Sequence, residues 1–162
     1  MTVPLLATVA AIVFEQDPDQ LLPAHRYQLY QKYLEYLFGG HDRAFVEQWP
    51  QLERQLTALP YGTKLAEALR DGRLALCQQL AVKWVESGCR LAGEAATWVK
   101  EKAAEAGVPL DLKPLNWLET ALVVAMTTGL FIRENDDIFF LHQSFAEHLA
   151  APGIRQSRCD FV

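Results

Sequence analysis

The sequence predicts a mainly α-helical protein, in which a small helical bundle is followed by a winged-helix-like domain with one β-hairpin. Apolar residues recur at helical spacing along most of the chain, which is typical of amphipathic helices. Short β-prone runs occur only around Asn135-Asp136, a dipeptide suited to a tight hairpin turn. Of the 162 residues, 51% are apolar and 22% are charged, which indicates a globular chain with a hydrophobic core.

Two helices are predicted near the start of the chain. The first has Pro4 as its opening residue, a position that suits proline, and it ends at the Asp17-Pro18-Asp19 cluster. The second runs from about His25 to Phe38 with its apolar residues on one stripe, and Gly39-Gly40 stops it.

The middle of the chain reads as further helices. Pro50 lies inside an apolar helical period and predicts a kink or a split, because proline lacks the N–H donor. Thr63 is the expected cap of a short helix to about Arg70. The later helices are predicted from Leu74 to a stop at Gly88, from about Leu91 to Ala106, and from Pro114 to Thr128.

The end of the chain predicts the hairpin and one more helix. The two strands cover residues 130–134 and 137–141. Ser144 and Glu147 then have the spacing of a capping box, and Pro152-Gly153 ends the helix. We therefore expect a helical domain over 1–72, a winged-helix-like domain over 73–151 and a disordered tail over 152–162.

Charge and cysteine content narrow the class of partner. A net charge of −5, without any block rich in Lys or Arg, predicts that neither nucleic acid nor a membrane is a partner. Cys77, Cys89 and Cys159 form no C-x-x-C pair, so we expect buried thiols in a reducing, cytoplasmic setting and no metal site.

His142 is the main candidate for a functional side chain. It lies between the second predicted strand and the last predicted helix. The first N–H groups of a helix have no internal partner and the helix dipole is positive there, so an anion such as phosphate is favoured. The same dipole favours a neutral imidazole, whose N–H can donate to phosphate. A purely structural role for this histidine stays open.

The segment from Phe139 to Ala151 resembles the end of the winged-helix domain in NACHT-type signalling ATPases of the STAND class. That family shows an aromatic-x-His-x-Ser-Phe-x-Glu-aromatic-x-Ala pattern, from which the chain departs only at His148, where an aromatic residue is expected. The residues that match are Phe140, His142, Ser144, Phe145, Glu147 and Ala150. The segment Val3–Ala10 is similar to the proline-led helix that follows the nucleotide-binding core in this family.

The resemblance implies two cofactor-binding residues: Pro4 would pack against the adenine, and His142 would donate to the β-phosphate of ADP. The chain has no G-x-x-x-x-G-K-[ST] motif, since Gly62-Thr63-Lys64 lacks the upstream glycine. We therefore expect no catalytic residue, no enzyme activity and no cofactor on the chain alone. The resemblance places ADP or ATP, with Mg²⁺, in the core of a larger parent protein.

The expected function is a regulatory fragment of a nucleotide switch that closes on this core in the ADP state and transmits a signal. The core is the implied partner, and the family implies a homo-oligomer in the active state.

Two other functions stay open. A DNA-binding winged helix would use Pro114–Thr128 as its recognition helix, although this segment has no Lys or Arg. A non-catalytic scaffold would expose no apolar face, whereas a regulatory module should expose one where its N-terminal helix meets the core. The acidic residues Glu134, Asp136 and Asp137 suit a solvated hairpin tip better than a cation site.

Overall fold

The structure is a computed structural model that describes residues 5–39, 42–88, 90–111 and 116–159, with side chains from 152 onward excepted. The fold is mostly helical with one small antiparallel sheet. The elements in chain order are α1 (Leu5–Gln16), α2 (Arg26–Phe38), α3 (Arg43–Thr57), α4 (Gly62–Asp71), α5 (Arg73–Ser87), α6 (Ala92–Ala106), α7 (Trp117–Met126), β1 (Phe131–Glu134), β2 (Asp137–Phe140) and α8 (Gln143–Cys159).

The predicted hairpin is confirmed. β1 and β2 pair antiparallel, with Phe131 opposite Phe140 and Glu134 opposite Asp137. Asn135 takes the left-handed conformation at φ 55°, which asparagine tolerates better than most residues. A two-residue turn fixes which residues of the two strands face each other, so the local sequence contributes to the register.

The sequence predicts that Pro50 kinks or splits its helix. The split does not occur, because α3 is continuous from Arg43 to Thr57. Trp49, Leu52 and Leu56 all lie on one buried stripe of this helix. Packing of that stripe outweighs the single backbone hydrogen bond that a proline removes.

The predicted capping box of the last helix is also wrong. α8 begins at Gln143, so Ser144 lies within its first turn, and Glu147 accepts a hydrogen bond from Gln143 Nε2 at 3.0 Å. The helix continues through Pro152 to Cys159, so it overlaps the predicted tail; residues 160–162 lie outside the described part of the chain.

The start of α7 depends on Asn116, whose side chain accepts hydrogen bonds from the N–H groups of Leu118 and Glu119 at 3.0 and 3.3 Å. This contact satisfies two donors that have no partner within the helix. Pro114, the predicted first residue of this helix, lies outside the described residues.

The connection between α3 and α4 is unusually close. A Cβ on Gly62 would lie 1.7 Å from the carbonyl oxygen of Leu56, so only glycine fits at this position. α4 accordingly begins at Gly62, one residue before the expected cap Thr63, and Tyr61 ahead of it takes a left-handed φ of 61°.

The buried apolar side chains form one cluster that runs from α1 to α8. α5 packs most extensively on α8, and α6 on α7. Smaller contacts join α2 to α8, α3 to α7 and α4 to α6, and they cross the boundary predicted at residues 72 and 73. The α2–α8 contact brings the start of the chain to the predicted functional segment, although the division into two domains stays a prediction.

Candidate functional site

His142 is an exposed residue between β2 and α8. Its carbonyl oxygen accepts a hydrogen bond from the N–H of Phe145 at 3.1 Å, which ties it to the first turn of the helix. The Phe145 ring is only 1% exposed, and its centre lies 6.3 Å from that of the His142 imidazole, in an edge-on arrangement. The core therefore fixes the backbone and one neighbour of His142, while its imidazole faces solvent.

Phe145 belongs to an aromatic cluster at the α2–α8 contact, formed by Tyr27, Tyr30, Tyr33, Phe145 and His148. Tyr33 stacks on Phe145 with ring centres 5.5 Å apart, and Tyr30 lies 5.4 Å from the same ring. Aromatic pairs at these separations add specific attraction to the burial of apolar area. The cluster therefore holds the first turns of α8 against α2.

His148, the one departure from the family pattern, occupies an aromatic position in this cluster. Its ring centre lies 4.9 Å from that of Tyr27 and 5.5 Å from that of Tyr30. Burial lowers the pKa of His148 below its ordinary value, because the cluster solvates the charged imidazolium poorly. The neutral imidazole thus packs as an aromatic ring would.

Arg26, on α2, reaches the N-terminus of α8. Its Nη2 donates to the Ser144 hydroxyl at 3.2 Å, and its guanidinium also donates to the Tyr30 hydroxyl at 3.2 and 3.3 Å. No carboxylate of the described residues lies within 4.0 Å of this guanidinium. We call His142, Ser144 and Arg26 the α8 N-terminal site.

The site concentrates positive potential. A helix N-terminus carries a partial positive charge and N–H groups without helical partners, and Arg26 adds a full positive charge beside it. The helix dipole and the guanidinium both attract negative charge, so the arrangement suits a phosphate or a carboxylate. Sequence reasoning named His142 but missed Arg26, because their elements lie far apart along the chain.

The second predicted cofactor-binding residue, Pro4, lies outside the described residues. The helix that follows it buries Val9 and Val13, while Leu6 is 38% and Phe14 is 49% exposed. α1 has no charged residue before Glu15, and the residues that it exposes up to Phe14 are apolar except Thr8. Such a face is typical of a surface that another protein or domain covers.

The predicted DNA-reading surface carries little positive charge. α7 contains no Lys or Arg, and Arg133 on β1 donates to both carboxylate oxygens of Glu119 on α7, at 2.8 and 2.7 Å. This bidentate pair lowers the pKa of Glu119, since the guanidinium stabilises the carboxylate. The one basic residue of the hairpin, Arg133, is therefore neutralised by an acid of α7, the helix that a DNA-binding protein of the predicted kind would use for recognition.

The assignment of Asp137 to a solvated hairpin tip is wrong. Its Oδ1 accepts hydrogen bonds from the N–H groups of Ala92 and Ile138 at 3.1 and 2.9 Å, so it joins the hairpin to the start of α6. Asp136 beside it is exposed, as expected. Within the described ranges, His, Cys, Asp and Glu side chains form no group of three that could hold a metal ion.

Cys77 is fully buried in α5, as predicted, and burial raises the pKa of its thiol to about 12. Such a thiol is almost entirely protonated near neutral pH and is a poor nucleophile. Cys89 and the side chain of Cys159 lie outside the described part of the structure.

Comparison with known proteins yields no matching family model, no similar curated protein and no similar solved structure. None of the described helices is both long and apolar enough to cross a membrane.

Proposed function

We propose that the chain is the helical and winged-helix part of a NACHT-type STAND nucleotide switch, and that it closes on a nucleotide-binding core when ADP is bound. The observation that carries the proposal is the α8 N-terminal site, where exposed His142 and the guanidinium of Arg26 flank the start of one helix. The resemblance of the same segment to the NACHT family names the anion as the β-phosphate of ADP.

The residues present fit a phosphate group. The imidazole N–H of His142 and the guanidinium of Arg26 are donors, and the start of α8 adds a favourable dipole. Glu147, the nearest acid on α8, is bound to Gln143 through its carboxylate. The adenine contact of Pro4 stays a prediction, because that residue lies outside the described part of the chain.

The exposed apolar face of α1 is a second observation in favour of a protein partner. Leu6 and Phe14 are exposed on a helix without charge over its first ten residues, 5–14. A self-sufficient scaffold would leave no such face, whereas a nucleotide-binding core seated on α1 would cover it. This observation favours the regulatory module over the scaffold.

We further propose a winged helix formed by α5, α6, α7, the hairpin and α8. The order of these elements and the link from Asp137 to the N-terminus of α6 support it. The pair between Arg133 and Glu119 favours a wing that contacts protein and not DNA, because both charges are already matched.

In the proposed switch, His142 and Arg26 hold the phosphate of bound ADP and thereby hold α8 against the core. The bound nucleotide supplies the anion; the chain supplies donors and the rigid aromatic cluster behind them. A contact can couple nucleotide state to domain position only if it differs between the ADP and ATP states. Loss of this contact on exchange to ATP would release the domain.

The first test uses the longer protein that carries the P-loop core. A hydrogen bond to a charged group is worth about 1.5–3 kcal/mol, so His142→Ala should speed ADP dissociation about 10- to 100-fold and raise basal activity. Release of a fluorescent ADP analogue measures this rate. Unchanged ADP release in a folded variant would sink the proposal.

A second test uses the chain itself. Because the chain supplies only part of the nucleotide site, it should bind ADP only weakly. ADP at concentrations on the order of 1–10 mM should shift the backbone amide resonances of Gln143, Ser144 and Phe145, with adenosine as the control that lacks the phosphates. Arg26→Ala should reduce the shifts, whereas Arg54→Ala, an exposed arginine on α3, should leave them unchanged. Equal shifts with ADP and adenosine would contradict a phosphate site.

A further inference from the structure

A cleft lies where α2, α3, the end of α4 and the start of α5 meet, and it shares no residue with the α8 N-terminal site. Its volume is about 700 Å³, and the rings of Phe38, Phe45 and Trp49 line it together with the side chain of Arg73. Volumes of this size are usual for clefts that bind small molecules, which typically combine apolar walls with a few polar groups.

Arg73 is a buried cation without an acidic partner. The residue is 3% exposed, and its Cζ lies 4.1 Å from the centre of the Phe45 ring. Its Nε and Nη1 donate to the backbone oxygens of Arg70 and Thr127 at 3.1 and 3.5 Å, and no carboxylate of the described residues lies within 4.0 Å. A guanidinium has five N–H donors, so this one has donors to spare.

Burial lowers the pKa of Arg73, whereas the through-space charges of Asp71 and Asp42 favour its charged guanidinium. Asp42 has the larger effect of these two acids. Its carboxylate, however, caps α3 by accepting the N–H of Ala44 at 3.1 Å. Burial of a charge without a direct partner is costly, so an anion that reached Arg73 would relieve this cost.

Trp49 offers a second unused donor in the same cleft. The residue is 3% exposed, and its Nε1 has no hydrogen-bond partner among the described residues. Trp117, in contrast, donates its Nε1–H to the backbone oxygen of Leu110 at 2.9 Å. Buried donors in native proteins are nearly always paired with a protein group or a water, so an orphaned indole N–H beside a cleft requires an acceptor that a water or a ligand supplies.

We propose that this cleft binds a small planar aromatic carboxylate, whose oxygens accept from Arg73 and Trp49. Arg73 lies over the Phe45 ring and Trp49 stacks on it with ring centres 5.5 Å apart, so the ring of the ligand packs against Phe38 and the edge of Phe45. The site is independent of the proposed nucleotide switch. The guanidinium fork matches a carboxylate geometrically, and the aromatic wall favours a flat apolar body. Both unused donors require acceptors, and the buried charge of Arg73 favours an acceptor that is anionic.

Acidic residues at the rim of the cleft allow a test of whether the ligand is an anion. Arg70 and Asp71 pair with each other there, with Nε and Oδ1 3.4 Å apart, and Glu53 is the remaining acid. No cation of the described residues lies within 4.0 Å of Glu53. Its charge would repel a bound carboxylate, so Glu53→Gln should strengthen binding about two- to threefold at low salt.

The experiment follows the four indole N–H resonances of the ¹⁵N-labelled chain during titration with benzoate, and Trp49→Phe assigns the resonance of Trp49. The Trp49 resonance should shift downfield with a Kd on the order of 1 mM, while that of Trp117 stays in place. Benzyl alcohol, which has the same ring without the charge, should bind at least ten times more weakly than benzoate. Benzoate should also bind the Arg73→Lys variant at least ten times more weakly than it binds the unchanged chain.

Three results would overturn the proposal: a Trp49 resonance that does not move at about 20 mM benzoate, equal binding of benzyl alcohol, or weaker binding in Glu53→Gln. The last variant lies at the rim and keeps the test decisive if Arg73→Lys fails to fold, which circular dichroism reveals.

Discussion

Replacement of Phe145 by alanine tests whether the aromatic cluster is what fixes the α8 N-terminal site. The ring is 1% exposed, and loss of a fully buried phenyl ring costs about 3–5 kcal/mol. Its pairs with Tyr30 and Tyr33 each add about 0.5–1.5 kcal/mol beyond burial, which places the expected loss at the upper end, about 4–5 kcal/mol. That is a large part of the stability of an ordinary domain.

The assay is urea unfolding followed by circular dichroism, with Phe14→Ala as the matched control. Phe14 is 49% exposed on α1, so its loss should cost less than about 1 kcal/mol. For a chain of this size, the Phe145 variant should also lower Tm by about 8–20 °C. A loss below about 1.5 kcal/mol, or a loss equal to that of the control, would refute the assignment of Phe145 as the anchor.

Three further predictions concern local contacts. Gly62→Ala should lower the free energy of unfolding by at least about 3 kcal/mol in urea, because the added Cβ would collide with backbone atoms. Gly93→Ala is the control: the space around it is open, so the change should be neutral or stabilise α6 by up to about 1 kcal/mol. A larger loss for Gly93→Ala than for Gly62→Ala would contradict the close approach at Gly62. Asp137→Ala should cost about 1–2 kcal/mol and exposed Asp136→Ala less than about 0.5 kcal/mol; equal losses would show that Asp137 does not cap α6. Because burial lowers the pKa of His148, the unfolded chain binds its proton more readily, so stability falls as pH falls through the unfolded value of 6.5 and levels off below the folded value. His148→Phe should reduce the difference between urea midpoints at pH 7.5 and 5.5; an unchanged difference would refute this.

The parts of the fold that the sequence predicts depend on local chemistry. Asn135 sets the hairpin turn, and Gly88 ends α5 in a left-handed conformation. Two of the predictions that failed concern prolines. Pro50 reads as a break but lies in a helix held by its buried stripe, and Pro152 reads as an end but lies inside α8.

In the candidate site too, the sequence predicts one residue from local chemistry and misses another that only the tertiary fold brings close. His142 is visible in the sequence because a strand, a histidine and a helix follow each other directly. Arg26 is not, because its contact with Ser144 joins residues 118 positions apart, and no local pattern encodes that distance. The contact between α2 and α8 has one local indication in the sequence, which is His148. A histidine at a position where an aromatic ring is expected indicates aromatic neighbours, and Tyr27 and Tyr30 on α2 are these neighbours.

The position of Arg26 gives the proposed switch a physical coupling that His142 alone would lack. Arg26 lies in the predicted helical domain and Ser144 in the predicted winged-helix-like domain, and one guanidinium joins them at 3.2 Å. An anion that binds both Arg26 and His142 is therefore held by both parts at once, and its affinity depends on their relative position. Thermodynamic linkage makes this effect reciprocal: the free energy by which the anion stabilises the α2–α8 contact equals the free energy by which that contact strengthens anion binding. Since α5 holds α8 more extensively than α2 does, the α2–α8 contact is the one that loss of the anion would weaken first.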